Sequence, residues 1–305
     1  MKKPLLILIV VASFVFSYLG QRALDAPPTP DAPAPELGYQ RIVSMAPSIT
    51  EVLYALELGN RVAGVTRYCT FPPEAQDKPE IGGFVDTNYE AVMNLEPDLI
   101  ILLPVHTDAQ LRFNELGLRT LVVDHRTLDG ILDSMTIIGA ACQVRGRSDE
   151  LLASIHRRMD AVRSQTAGLD RPTLLISAGR SKGTGKLEEV YAAGKGQWYD
   201  DVIVLAGGAN VFTDATIPFP SVTGEALVRL NPEVIVEMAP ENEYTTVTEE
   251  AIIADWDSLP DISAVQQQRI YVLRESYTTI PGPRFINIVE DLARVLHPEV
   301  DWETP

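Results

Sequence analysis

The stretches NYEAVMNLEPDLIIL (residues 88–102) and TGEALVRLNPEVIVE (residues 223–237) are two statements of one unit. Glu90 and Ala91 lead to Leu95, Pro97, Asp98 and an apolar run; Glu225 and Ala226 lead to Leu230, Pro232, Glu233 and another. Glu precedes Pro by seven positions in both. Each copy reads as helix, turn and strand, because proline disfavours a helical residue before it and the apolar run suits a buried strand. Two copies at corresponding places predict two similar α/β lobes.

The rest of the chain agrees with that division. RIVSM, RVAGVT, DLIILL and RTLVVD read as strands with helical segments between them, a pattern that favours a mostly parallel sheet covered by helices. The first helix, SITEVLYALEL, has the spacing of a capping box at Ser48 and Glu51 and is expected to stop at Gly59. SDELLASIHRRMDAVRSQTAG forms one long amphipathic helix, with Leu151, Leu152, Ile155, Met159 and Val162 on a stripe and Gly168 after its end. Alternation then restarts with TLLISA, EVIVEM and RIYVL, and WYDDVIVL is expected to be a helix ended by Gly207 and Gly208. A last helix buries Phe285, Ile288, Val289, Leu292 and Val295. The expected organisation is a lobe over 40–146, a connecting helix over 147–168 and a second lobe over 169–305.

Ahead of these lies a different kind of sequence. Lys2 and Lys3 precede an apolar run from Leu5 to about Leu19, which reads as an export signal or N-terminal anchor over 1–25. APPTPDAPAPELG is too rich in proline to fold and makes 26–39 a semi-extended linker. The formal net charge of −17 with no Lys/Arg block argues against nucleic acid, which demands a clustered cationic face. Cys69 and Cys142 have no metal-ligand spacing; they either pair or remain buried thiols.

The leading Glu of each repeat has two readings. Thr87 and Glu90 have capping-box spacing, but Val222, three residues before Glu225, cannot cap. Either Glu also favours a helix N-terminus through the backbone dipole, by about 0.3–1 kcal/mol.

The segments RIVSMAPSITEVLYALELGNRVAGVTRYCTFPPEA, VDTNYEAVMNLEPDLIILL, AGGANVF, FPSVTGEALVRLNPEVIV and PGPR, in that order, resemble the periplasmic substrate-binding components of ABC importers for cobalamin and ferric siderophores. The resemblance to these BtuF- and FhuD-like proteins of the helical-backbone class (class III) covers residues 40–300. It implies two Rossmann-like α/β lobes joined by a single long α-helix, with a ligand cleft between them and no enzymatic activity or intrinsic cofactor. It implies a monomer that delivers a corrinoid or ferric siderophore to a permease dimer outside the cytoplasm. In this family one Glu on each lobe docks onto permease arginines, and Glu90 and Glu225 stand at the matching positions. A carboxylate suits the bidentate Arg fork.

A chelate cleft needs flat apolar walls and a few polar groups. Tyr68, Phe84 and Phe219 match places where cobalamin binders carry aromatics, two of them Trp in those proteins; Trp198 is a further aromatic of the second lobe. Arg180 and Arg284 are candidates to meet an anionic ligand. His106 and His125 follow neighbouring strands and, with Asp124, raise the alternative of a zinc, manganese or haem receptor. An anchored sensor and an enzyme are further alternatives. No G-x-S-x-G elbow or dinucleotide fingerprint supports the latter. GRSKGTGK is not a phosphate loop, since its glycine spacing is one too long and Leu187 replaces the Ser/Thr; it reads as a cleft-mouth loop or a hairpin.

Overall fold

The acid in each repeat seats its strand. Asp98 accepts the Gln40 and Arg41 amides at 2.7 and 2.9 Å. Glu233 accepts the Thr173 amide at 2.8 Å and its hydroxyl at 3.0 Å. Each carboxylate ties its own strand to the start of the strand alongside. Ahead of each proline, Glu96 and Asn231 take left-handed backbone, at φ of 46° and 42°, which ends the helix and turns the chain toward the sheet.

The computed structural model describes residues 38–214, 217–241 and 243–302. The expected export segment and most of the linker lie outside the described residues. The first lobe contains β1 (Ile42–Ser44), α1 (Pro47–Ala55), β2 (Val62–Val65), α2 (Tyr89–Asn94), β3 (Leu99–Leu102), α3 (Thr107–Glu115), β4 (Thr120–Val122) and α4 (Leu128–Ala141). Its sheet runs β2-β1-β3-β4, parallel throughout. Helix α5 (Arg145–Thr166) follows; its 22 residues span about 33 Å. It packs against α4 on one side and, on the other, against the last helix of the chain.

The second lobe contains β5 (Thr173–Gly179), β6 (Glu189–Ala192), α6 (Trp198–Leu205), β7 (Ala209–Asn210), β8 (Ser221–Thr223), α7 (Gly224–Leu230), β9 (Val234–Met238), α8 (Glu249–Ala254), α9 (Ser263–Gln266), β10 (Ile270–Leu273) and α10 (Phe285–Leu296). Strands β10, β9, β5 and β7 are parallel, while β6 and β8 join antiparallel at the edge. The antiparallel edge exists because GRSKGTGK closes a hairpin between β5 and β6. Arg158 of α5 holds α10 through Glu290, at 2.8 Å to each carboxylate oxygen, and through Asn287 at 2.7 Å.

Several local expectations are corrected. Helix α1 ends at Ala55 and Glu57, not Gly59, takes the left-handed turn (φ 55°). Ser48 does not cap α1, because Ala46 is the N-cap and Pro47 opens the helix. Thr87 does not cap α2; Asn88 does, accepting the Ala91 amide at 3.0 Å. In the second copy Thr223 plays that part for Ala226 at 3.5 Å. Glu90 and Glu225 are therefore both the second residue of a helix capped by a side chain. The two cysteines are free and buried.

Candidate functional site

Parallel strands end on one side of a sheet, so the loops leaving β1, β2 and β3 and those leaving β9 and β10 build a site where the lobes meet. A cavity of about 630 Å³ lies there, lined by Ser48, Glu51, Arg67, Tyr68, Phe71, Phe84 and Leu103 of the first lobe. Glu243, Ser276, Thr279, Ile280, Pro281 and Arg284 close it from the second. Its size is that of a small-molecule site.

The floor of this cavity joins the lobes. Arg284 donates to both oxygens of Glu51, Nε at 2.9 Å and Nη2 at 2.6 Å, and Nη1 reaches the Ser276 hydroxyl at 3.1 Å. The guanidinium lies 3.7 Å from the centre of the Phe71 ring. Burial pushes the Glu51 carboxyl above the usual range, with Arg284 opposing the shift. Gly282 packs closely on this pair: a Cβ there would stand 3.1 Å from Glu51 Oε2 and 3.5 Å from Ser48 Cα. Glu51, Phe71 and Arg284 also bound a second cavity of about 930 Å³, whose other wall includes Leu151, Ser154 and Ile155 of α5. These three residues form a septum between the two spaces. In sequence Glu51 has only capping-box spacing; the local signal of its burial is that it stands between Ile49 and Val52–Leu53 in a stretch of α1 that is buried from Ser48 to Leu53.

The expected ligand residues divide. Tyr68, 54% exposed, Phe84 and Arg284 line the cavity. Phe219, 43% exposed, stands outside it and meets Tyr199 edge-on. Arg180 does not reach a ligand at all: its guanidinium is buried and bound to Glu237 at 2.7 Å and Asp255 at 2.5 Å. Trp198 is buried in a stack on Tyr199. His106, 5% exposed, lies behind Phe84 rather than in the cavity, with ring centroids 4.7 Å apart. The Leu103 amide donates to its Nδ1 at 3.1 Å, and burial holds its pKa below the usual value. No three His, Cys, Asp or Glu side chains converge on a metal position among the described residues, which leaves a bare-metal reading without a ligand set there.

His125 is buried, with Nδ1 2.8 Å from Ser48 Oγ at the cavity wall. Burial pushes its pKa from 6.5 down to about 4, with Asp124 offsetting part of the shift. Between those values the unfolded chain binds a proton that the folded chain refuses, so stability falls as pH drops from about 6.5 to about 4. The full window corresponds to about 3 kcal/mol. Chemical denaturation at pH 7 and pH 4.5 measures this loss, and His125→Asn is expected to flatten the dependence.

Glu90 and Glu225 are exposed. Glu225 Oε1 pairs with Arg229 Nη1 at 2.5 Å across one turn of α7, whereas Asn94 holds the corresponding place on α2.

A family model described as "Periplasmic binding protein" matches residues 42–277. The Bacillus subtilis uncharacterized ABC transporter substrate-binding lipoprotein YvrC is 28% identical over 268 residues, 85% of this chain and 81% of that one. The crystal structure of the periplasmic vitamin B12 binding protein BtuF of Vibrio cholerae superposes with a TM-score of 0.72 at 25% identity, covering 86% of this chain and 98% of that one. The periplasmic heme-binding protein RhuT of Roseiflexus sp. RS-1, in apo form, gives 0.71 at 25% identity, over 86% and 99%.

Proposed function

The chain belongs to the periplasmic binding protein family, and from that premise we propose that it captures a metal chelate, a corrinoid or a ferric siderophore, outside the cytoplasm and hands it to the permease of an ABC importer. Its role is then to bind and carry, with no chemistry on the cargo. The observation that carries this reading is the inter-lobe cavity itself. Tyr68 and Phe84 offer aromatic surface, and both guanidiniums that line the cavity are already matched to carboxylates, Arg284 to Glu51 and Arg67 to Glu80 and Asp86. Such a site suits a flat, weakly charged chelate. A cargo too large for about 630 Å³ would project from the cavity, and in this reading the exposed Phe219 is the second-lobe aromatic that meets it.

Glu90 and Glu225 are the docking carboxylates of this reading, one per lobe. The overall acidity of the chain, −17, steers it toward a basic permease mouth.

Haem is the second reading, favoured by Tyr68. An exposed phenol in the wall of a chelate site could ligate ferric haem, as tyrosine does in other haem proteins. Calorimetric titration with cyanocobalamin, a ferric siderophore and haemin tests both. Saturable 1:1 binding of cyanocobalamin or the siderophore, in the micromolar range or tighter, is the expected result. Binding of haemin alone, abolished in Tyr68→Phe, would replace it with the second reading; silence with all three would overturn both.

A further inference from the structure

The repeat is longer than its Glu. Phe84 stands six residues before Glu90, and Phe219 six residues before Glu225. Each proposed cargo aromatic therefore lies on the same short arm as a proposed docking carboxylate. Both arms are braced by backbone hydrogen bonds. In the first, Gly82 bridges to Thr87 and the Asn88 amide donates to the Ile81 carbonyl at 2.9 Å. In the second, the amides of Gly194 and Ala192 donate to the carbonyls on either side of Phe219, those of Pro218 and Pro220, at 2.8 and 3.0 Å. Gly194 has to be glycine, because a Cβ would fall 2.3 Å from the Ile217 carbonyl oxygen.

Each aromatic is also backed edge-on by a buried ring from another element. His106 meets Phe84 at 4.7 Å and 65°, and is itself held by the Leu103 amide. Tyr199, 3% exposed, meets Phe219 at 6.2 Å and 87°, and its hydroxyl donates to the Thr278 carbonyl at 2.5 Å. Neither ring lines the cavity. An edge-to-face pair has a preferred geometry as well as an energy, so it fixes where the front ring stands.

We propose that His106 and Tyr199 are positioning residues: each sets one cargo aromatic from behind, and with it the arm that carries a docking carboxylate, so that cargo seating and docking are coupled in each lobe. The coupling rests on the docking reading above. Whatever displaces Phe84 or Phe219 is felt at Glu90 or Glu225, and by linkage docking acts back on cargo affinity.

The test uses nitroxide labels on Glu90→Cys and Glu225→Cys; the native cysteines are buried and stay unlabelled. His106→Ala is expected to loosen the label at position 90 and not that at 225. Tyr199→Phe, which loses the anchor to Thr278, is expected to do the reverse. The loosening is read as a roughly two-fold shorter correlation time. Phe84→Leu and Phe219→Leu remove the front ring of each pair at partly exposed positions and should repeat the crossed pattern. Labels that stay unchanged, or that loosen together whichever lobe is altered, would overturn the proposal. Calorimetry with cyanocobalamin on the unlabelled backing variants should show roughly 3- to 10-fold weaker binding than the parent. A crossed pattern in a parent that binds no cyanocobalamin would support the positioning assignment and sink only the corrinoid reading.

Discussion

Replacing Glu90 and Glu225 together by alanine is expected to abolish cargo uptake while leaving the affinity for cargo unchanged to within about two-fold. Neither side chain lines the inter-lobe cavity, and both sit on exposed first turns of short helices. Truncating one partner of a hydrogen-bonded interfacial charge pair costs about 2–5 kcal/mol. Two such losses, one per lobe, remove most of the affinity of an ordinary transient complex. The single variants should differ. Glu225 must leave Arg229 before it can engage a permease arginine, a helical pair whose strength is about 0.2–0.5 kcal/mol. Glu90→Ala is therefore expected to impair uptake slightly more than Glu225→Ala. Uptake of radiolabelled cargo by cells or proteoliposomes, set beside calorimetry on the soluble protein, separates the two effects. Parental uptake by the double variant would end the docking assignment.

The largest stability effect is expected at Glu237. Its carboxylate is fully buried in β9, accepts Arg180 Nε at 2.7 Å and Trp256 Nε1 at 2.8 Å, and lies 3.3 Å from Lys182 Nζ. Glu237→Leu would leave Arg180 and Lys182 in the interior with one acid of the cluster, Asp255, which pairs with Arg180 and not with Lys182. Breaking a buried pair in this way costs about 3–5 kcal/mol. Lys182 already has its pKa lowered by burial, which the Glu237 charge opposes; without that charge it would be lowered further. The same cluster holds the β5–β6 hairpin, since Asp255 accepts the Gly183 and Gly185 amides at 2.7 Å each. Urea denaturation should show the midpoint falling well below that of the parent, and an unchanged midpoint would mean that the cluster contributes nothing net.

This cluster also shows where the sequence stops being legible. The strands, the long helix and the duplicated turns were readable because periodicity and proline act within a few residues. Capping was read less well, because Ser48 and Thr87 have the right spacing but the backbone begins its helices at other residues. Arg180 and Arg284 look alike in sequence, each in a Gly- or Pro-flanked segment. One is captured by acids 57 and 75 positions away and the other by an acid 233 positions away. Nothing local distinguishes a buried arginine from one at a cavity floor; the partner decides, and the partner is a product of the fold. His106 was placed beside the right loop yet at the wrong depth for the same reason. Phe84 lines the inter-lobe cavity, in a segment whose spacing to the repeat carries its position.

The Glu51–Arg284 contact has a mechanical consequence. Parting the lobes at that point would break a bidentate ion pair whose carboxylate side chain is only 2% exposed while the lobes are joined. A contact held there would limit how far the lobes part, and with it how far the proposed docking carboxylates Glu90 and Glu225 can move from one another. On the docking reading, a permease whose two basic sites have the right charge but the wrong spacing would fit it poorly, so partner choice would depend on length as well as on charge.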